Sequence, residues 1–305
     1  MYSKSISSED PVLIVLLVDQ SGSMHENWGV TKEGESLARS AKIAVNKALY
    51  DLALNACVTD VGIKDRVHIS AFTYADENYS DESDWVRWAL NGLGQGNGWV
   101  EADRWVTGYD YKEKVAIADD GGRPINMDLP IWIEEGARGG TPMCTAFSKA
   151  AQVVRLHNQE YPDSHPPIVI NITDGMPTDT RYDQHGFGQE DWSFFRSAAS
   201  EITSQEIEDG NALLMNIHIT NQGGGDEVLT FPVKAPSGSS EHAKQMLEVS
   251  SVLPANMVVQ ARAQGYDLRE GSKAFVMNGD RALLSGFLKI GTTMKTDGRI
   301  GLLEA

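Results

Sequence analysis

The sequence predicts an α/β fold: a doubly wound, mostly parallel sheet flanked by helices, in a Rossmann-like arrangement. Three observations carry this expectation. Residues 12–18, Val-Leu-Ile-Val-Leu-Leu-Val, form a short β-rich run without polar alternation, as a strand buried on both faces of a parallel sheet requires. Leu37, Ala41, Ala44, Val45, Ala48, Leu49, Leu52 and Ala56 then recur at helical spacing, giving one apolar stripe between roughly Lys32 and Ala56. The same alternation of strand and helix returns along the rest of the chain.

In order, the pattern places a strand near Arg66 to Tyr74 and a helix from Pro142 to about His157, with Pro142 suited to the first helical position. A strand from Pro167 to Thr173, a helix from Asp191 to about Glu208 and a strand from Ala212 to Thr220 follow. The last unit reads as a strand over Lys273 to Met277 and a helix over Arg281 to Ile290. Between Ala75 and Glu135 the rhythm breaks. These 61 residues hold 14 acidic and 5 basic side chains and five of the seven tryptophans: Trp85, Trp88, Trp99, Trp105 and Trp132. An acidic linker without structure would be poor in Trp, so an ordered insertion is expected, with a β-hairpin around Trp99 to Ala118. Acid plus Trp suggests a contact surface; the alternative is that the tryptophans seal the insertion against the main sheet. The organisation expected is a tail over 1–10, one domain over 11–291 containing the insertion 75–135, and a tail over 292–305.

The 305 residues are 41% apolar and 23% charged, ordinary globular usage. A net charge of −17 repels a phosphate backbone or an anionic lipid surface, which excludes nucleic acid and membrane as main partners. Cys57 and Cys144 are the two cysteines, without CxxC or zinc spacing, so no disulfide framework or zinc ribbon is expected and a reducing compartment fits. The most apolar stretch falls far short of the roughly 20 residues of a bilayer helix. The polar start lacks the regions of a secretory signal. A soluble, cytoplasmic protein is the expectation.

Asp19-Gln20-Ser21-Gly22-Ser23 follows the first strand directly, at a carboxyl end of the sheet, where open α/β sheets bind ligands. Gly139-Gly140-Thr141-Pro142 precedes a helix, and Ile172-Thr173-Asp174-Gly175 ends a strand. If those elements neighbour the first strand, Asp19, Ser21, Ser23, Thr141 and Asp174 converge. Oxygen donors without His or Cys select a hard cation, Mg²⁺ first, with Mn²⁺ or Ca²⁺ as alternatives. Two carboxylates neutralise a divalent ion and leave it able to accept one more carboxylate from outside. Taken singly, Ser21, Ser23 and Thr141 would read as turn and capping residues. An EF-hand is excluded, because its sixth position would be Met24 and its twelfth Val30. The run Gly92-x-Gly94-x-Gly96-x-Gly98 fits no phosphate loop, and the seven histidines are scattered without a catalytic pattern.

Asp19-x-Ser21-x-Ser23, Gly140-Thr141 and Thr173-Asp174-Gly175 together resemble the metal-ion-dependent adhesion site of von Willebrand factor A domains. The resemblance implies direct contact of Ser21, Ser23 and Thr141 with the ion, and contact of Asp19 and Asp174 through water. Residues 15–19, 139–144 and 252–254 are similar to the bacterial cytosolic, tellurite-resistance-like members of that family, as is the ending around Ala274-Phe275-Val276. What this implies is a non-enzymatic intracellular adaptor whose Mg²⁺ is completed by an Asp or Glu of a protein partner, in a stress-response, kinase or phosphatase signalling, or phage-defence setting. Substrate delivery to a separate AAA+ ATPase is the alternative, and a metal-dependent phosphohydrolase the third reading.

Overall fold

The computed structural model describes residues 2–26, 35–76, 84–118, 124–179, 192–219, 228–263, 265–279, 283–284 and 286–288. Strand β1 (Val12–Asp19) is buried along its whole length. Its side chains alternate across the sheet, so Val12, Ile14, Leu16 and Val18 enter one core layer and Leu13, Val15 and Leu17 the other. Helix α1 (Leu37–Leu52) starts where the Ser36 side chain accepts a hydrogen bond from the Arg39 amide. It runs on through a π-turn over Ala53–Cys57. A tight hairpin, β2 (Val58–Thr59) and β3 (Gly62–Ile63), then leads to β4 (Val67–Tyr74), and β5 (Val86–Trp88) lines up antiparallel at its edge.

A single turn, α2 (Ala102–Trp105), precedes a hairpin of β6 (Tyr111–Ala118) and β7 (Pro124–Ile131). Then come α3 (Met143–Glu160), β8 (Ile168–Thr173), α4 (Ser193–Thr203), a small hairpin of β9 (Glu206–Ile207) and β10 (Gly210–Asn211), and β11 (Leu213–Ile219). The chain continues through β12 (Leu229–Thr230), α5 (Glu241–Val249), α6 (Ala255–Ala263) and β13 (Phe275–Gly279). Neither α5 nor α6 was expected from the sequence. Most of the expected final helix lies outside the described residues, although 283–284 and 286–288 are helical.

The main sheet has seven strands in the order β12-β13-β11-β8-β1-β4-β5. The five inner strands are parallel and both edge strands antiparallel. Helices α1 and α6 cover one face, and α3, α4 and α5 the other. The α/β sheet with helices on both faces is therefore present as expected. The chain leaves β1 toward β4 but returns on the opposite side with β8, so the order reverses between β1 and β8. Their carboxyl ends open a crevice, the place where such sheets take ligands.

The described residues of the insertion form structure that differs from expectation. Its long hairpin starts at Tyr111 rather than near Trp99, because Val100 bridges to Ile69 of β4 and holds the preceding segment on the main sheet. Trp99, Trp105 and Trp132 are buried. The Trp105 indole donates to the Val67 carbonyl at 2.9 Å, and the Trp132 indole to the Trp105 carbonyl at 2.7 Å. With ring and N–H both satisfied inside, these side chains seal the insertion and offer no contact surface. The hairpin is fastened to α1 by charge as well. Burial opposes the charge of Lys42, yet hydrogen bonds to Glu134, Tyr111 and Glu113 outweigh it and raise its pKa. Its ammonium lies 2.8 Å from Glu134 and 3.2 Å from Glu113. Among the described residues, no helix is long and apolar enough to cross a membrane.

Candidate metal centre

Asp19 is the last residue of β1, and none of its surface is exposed. One carboxylate oxygen accepts the Ser21 amide at 2.7 Å, closing the loop on itself; the other accepts the Thr173 hydroxyl at 2.6 Å, at the end of β8. The Ser21 and Ser23 hydroxyls are 3.1 Å apart. Ser23 donates to Asp174 Oδ1 at 2.8 Å, and Ser21 reaches the same oxygen at 3.5 Å. The parallel β1–β8 pairing thus joins the two loops into one cluster of oxygens.

Thr141 reaches the cluster by packing. It is buried, and a Cβ placed on Gly175 would sit 2.8 Å from its Oγ1, so the turn after Asp174 lies directly against it. Its backbone exchanges two hydrogen bonds with Thr178, both at 2.9 Å. The preceding glycines are dictated by contact: Gly139 has φ +60°, and a Cβ there would fall 1.1 Å from the Asp76 carbonyl oxygen. The Asp76 carboxylate accepts the Gly140 amide and, at 3.4 Å, the Thr178 hydroxyl. Asp179 caps α3 by accepting the Cys144 and Thr145 amides at 3.1 and 2.8 Å. All five residues picked from the sequence thus lie at one rim, with Thr141 at its margin.

Asp76, Thr173, Thr178 and Asp179 support the site and were not singled out as site residues. Thr173 stood inside a quoted motif. Asp179 ends a stretch dense in turn formers, 174–179, but its helix begins 36 residues earlier in the chain, so no local signal pairs them.

Burial, and next the negative charge of Asp174, push the Asp19 carboxyl up to about 7, against the pull of hydrogen bonds from Thr173 and Ser21. Burial also raises Asp174, while Ser23 lowers it. Two carboxylates confined together with neutral hydroxyls, and no nitrogen or sulfur donor between them, make a hard-donor set. A hard divalent cation among them would favour the ionised form of both acids. Among the described residues no group of three or more His, Cys, Asp or Glu is placed to hold a metal, so the rim pairs two carboxylates with neutral hydroxyls, and Glu26 adds negative charge near Asp174. Cys57 and Cys144 are buried free thiols, and burial pushes the Cys57 thiol up to about 12, as for inert core residues.

No family model and no curated protein sequence matches the chain. Among solved structures, similarity is found to the pilus adhesin SpaC from Lactobacillus rhamnosus GG, with 12% identity and a TM-score of 0.48 over 93% of this chain and 30% of that one. The PilB minor pilin from Streptococcus sanguinis is similar at 12% identity and a TM-score of 0.44, over 92% of this chain and 61% of that one. The pilus adhesin RrgA from Streptococcus pneumoniae is similar at 13% identity and a TM-score of 0.28, over 88% and 33%. The chain thus spans from under a third to about three fifths of the length of these proteins.

These findings correct the expected membership of the bacterial cytosolic von Willebrand A group: no family model supports it, and the similar structures are pilus adhesins and a minor pilin. The intracellular adaptor is set aside with it, as are its tellurite-resistance, signalling and phage-defence settings and the AAA+ and phosphohydrolase alternatives. The physical reason is that five oxygen-bearing residues at strand ends describe the chemistry of a rim. Family and compartment belong to the whole chain, and one sheet architecture hosts many roles.

Proposed function

We propose that this chain is a ligand-capture module of the adhesion type and not an enzyme. Asp19, Ser21, Ser23, Thr141 and Asp174 hold a hard divalent cation, Mg²⁺ first, at the rim of the sheet, and so present a seat for a carboxylate of a protein or peptide ligand. The ion supplies positive charge with a coordination position open to that carboxylate. The residues do the rest. Thr173 and the Ser21 amide orient Asp19, Ser23 orients Asp174, and Asp76 with Thr178 fixes the loop that carries Thr141. Adhesion or pilus assembly is the setting suggested by the names of the similar structures; the reading itself stands on the rim.

The observation that carries it is the convergence of two neighbouring strand ends on one loop: Asp174 takes the Ser21 and Ser23 hydroxyls, while Asp19 takes the Ser21 amide and the Thr173 hydroxyl. Both Asp19 oxygens are already engaged, which suits a holding group better than a general base. The test is a Mn²⁺ titration followed by electron paramagnetic resonance, with Mg²⁺ as competitor, on wild type and Asp174→Asn. It is paired with capture of immobilised peptides that differ only in Glu against Gln. One saturable site displaced by Mg²⁺, weakened at least tenfold in the variant, with Glu-selective capture lost in chelator, is expected. Absence of a saturable site, or equal capture in chelator, refutes the reading.

A further inference from the structure

On the sheet face that carries α4 and α5, two histidines pack together and each keeps one ring nitrogen unpartnered. His218 is the penultimate residue of β11 and His242 lies in the first turn of α5. They are 9% and 7% exposed, and neither His218 Nδ1 nor His242 Nε2 has a hydrogen-bond partner among the described residues. A buried polar group left so is destabilising, and two in one contact call for an explanation.

Their ring centroids are 5.1 Å apart, with planes at 73°. For two imidazoles sharing one ion, a metal–nitrogen bond of about 2.05 Å plus about 1.15 Å to the ring centre, opened by about 109–120°, gives a separation of about 5.2–5.5 Å. The observed spacing allows a shared ion, as does any edge-to-face contact of two rings; the two unpartnered nitrogens are what set this pair apart. His68 and His157 are separated similarly, by 5.3 Å, but their facing nitrogens bond each other at 3.1 Å and His68 also takes Asp65, so that pair is closed on itself. The other side of the His218 ring is held by the backbone of Asp174, the kind of outer support that orients a metal-bound imidazole.

A third donor stands on the same face. Met277 is the register partner of His218 across the β11–β13 ladder and packs, half-buried, against the core beneath α4 and α5. Two imidazoles and a thioether bring no negative charge. Because the cost of desolvating an ion grows with its charge, a soft monovalent ion suits this set better than a divalent one.

We propose that His218, His242 and Met277 form a buried site for Cu(I), with ligands distinct from the rim oxygens, although the His218 ring rests on the Asp174 backbone. The test titrates the anaerobic full-length protein into the Cu(I)–bicinchoninate complex, with a parallel Zn(II) arm. The expected result is withdrawal of one copper per chain, with uptake at least tenfold weaker in His242→Gln and unchanged in Asp19→Asn and in the double variant Cys57→Ser/Cys144→Ser. X-ray absorption of the copper-loaded wild type should show a nitrogen shell with one sulfur, the sulfur disappearing in Met277→Leu, which keeps the core volume. Copper left on the chelator by wild type, uptake abolished in the double serine variant, or tighter binding of Zn(II) than of Cu(I) overturns the proposal. So does a sulfur shell that persists in Met277→Leu, which keeps the test decisive should His242→Gln fail to fold.

Discussion

Asn46 offers the sharpest test of how the insertion is bolted to the main sheet. It is fully buried in α1, and its amide nitrogen donates to the Lys42 and Ile133 carbonyls, both at 2.8 Å. Its amide oxygen accepts the Trp132 and Ile133 amides at 2.7 and 3.1 Å. In Asn46→Ala the Lys42 carbonyl keeps its helical partner, but Trp132 N–H, Ile133 N–H and the Ile133 carbonyl lose theirs together. At about 1–3 kcal/mol for each stranded group, eased by water entering the space left by the amide, the loss comes to about 3–5 kcal/mol. Against a typical total of roughly 5–15 kcal/mol that is a large fraction. Equilibrium urea unfolding followed by tryptophan fluorescence measures it. A loss below about 1 kcal/mol would show that these four hydrogen bonds are not what holds the return segment of the insertion, and would refute the reasoning.

Thr173→Val removes the hydroxyl that donates to Asp19 at 2.6 Å while keeping the side chain's shape. A hydrogen bond to a charged group is worth about 1.5–3 kcal/mol, so Mn²⁺ affinity at the rim should fall roughly 10- to 150-fold; an unchanged titration curve would exclude this role. Gly139→Ala puts a methyl 1.1 Å from the Asp76 carbonyl oxygen at φ +60°, and a lowered thermal midpoint with loss of the cation site is expected. An unaltered midpoint would mean that the two loops are not in contact. Burial first, and His68 second, push His157 down to about 3. The unfolded chain therefore takes up a proton below about pH 6.5 that the folded chain declines, and this part of the stability, complete above that pH, is lost as pH falls toward 3. The raised carboxyls of Asp19 and Asp174 act with the opposite sign in part of the same range, so the readout is a difference. Between pH 6.5 and 5, wild type should lose about 2 kcal/mol more than His157→Phe, at about 1.36 kcal/mol per pH unit. Parallel pH profiles of urea unfolding would contradict it.

The sheet was legible in the sequence because its evidence is local. An unbroken apolar run such as Val12–Val18 has no stable place except between two covered faces, and a stripe such as Leu37 to Leu52 can be buried only as one side of a helix. The oxygens of Asp19, Ser21, Ser23 and Asp174 were legible for a related reason, since each stands next to a strand end that periodicity alone locates. Helices α5 and α6 were not legible: the stretch 231–272 mixes turn formers with short apolar groups, and packing under β11 and β13 selects the helices there. Trp99, Trp105 and Trp132 could equally have been a surface or a seal until tertiary contact gave two of their indoles backbone carbonyls inside. Contact between distant segments also decided that Asp76 fills the space Gly139 and Gly140 leave open, that Asp179 caps a helix begun long before it, and that His218, His242 and Met277 share a face. A sequence pattern reports which side of an element is apolar; which distant groups satisfy its polar atoms is settled only when the elements pack.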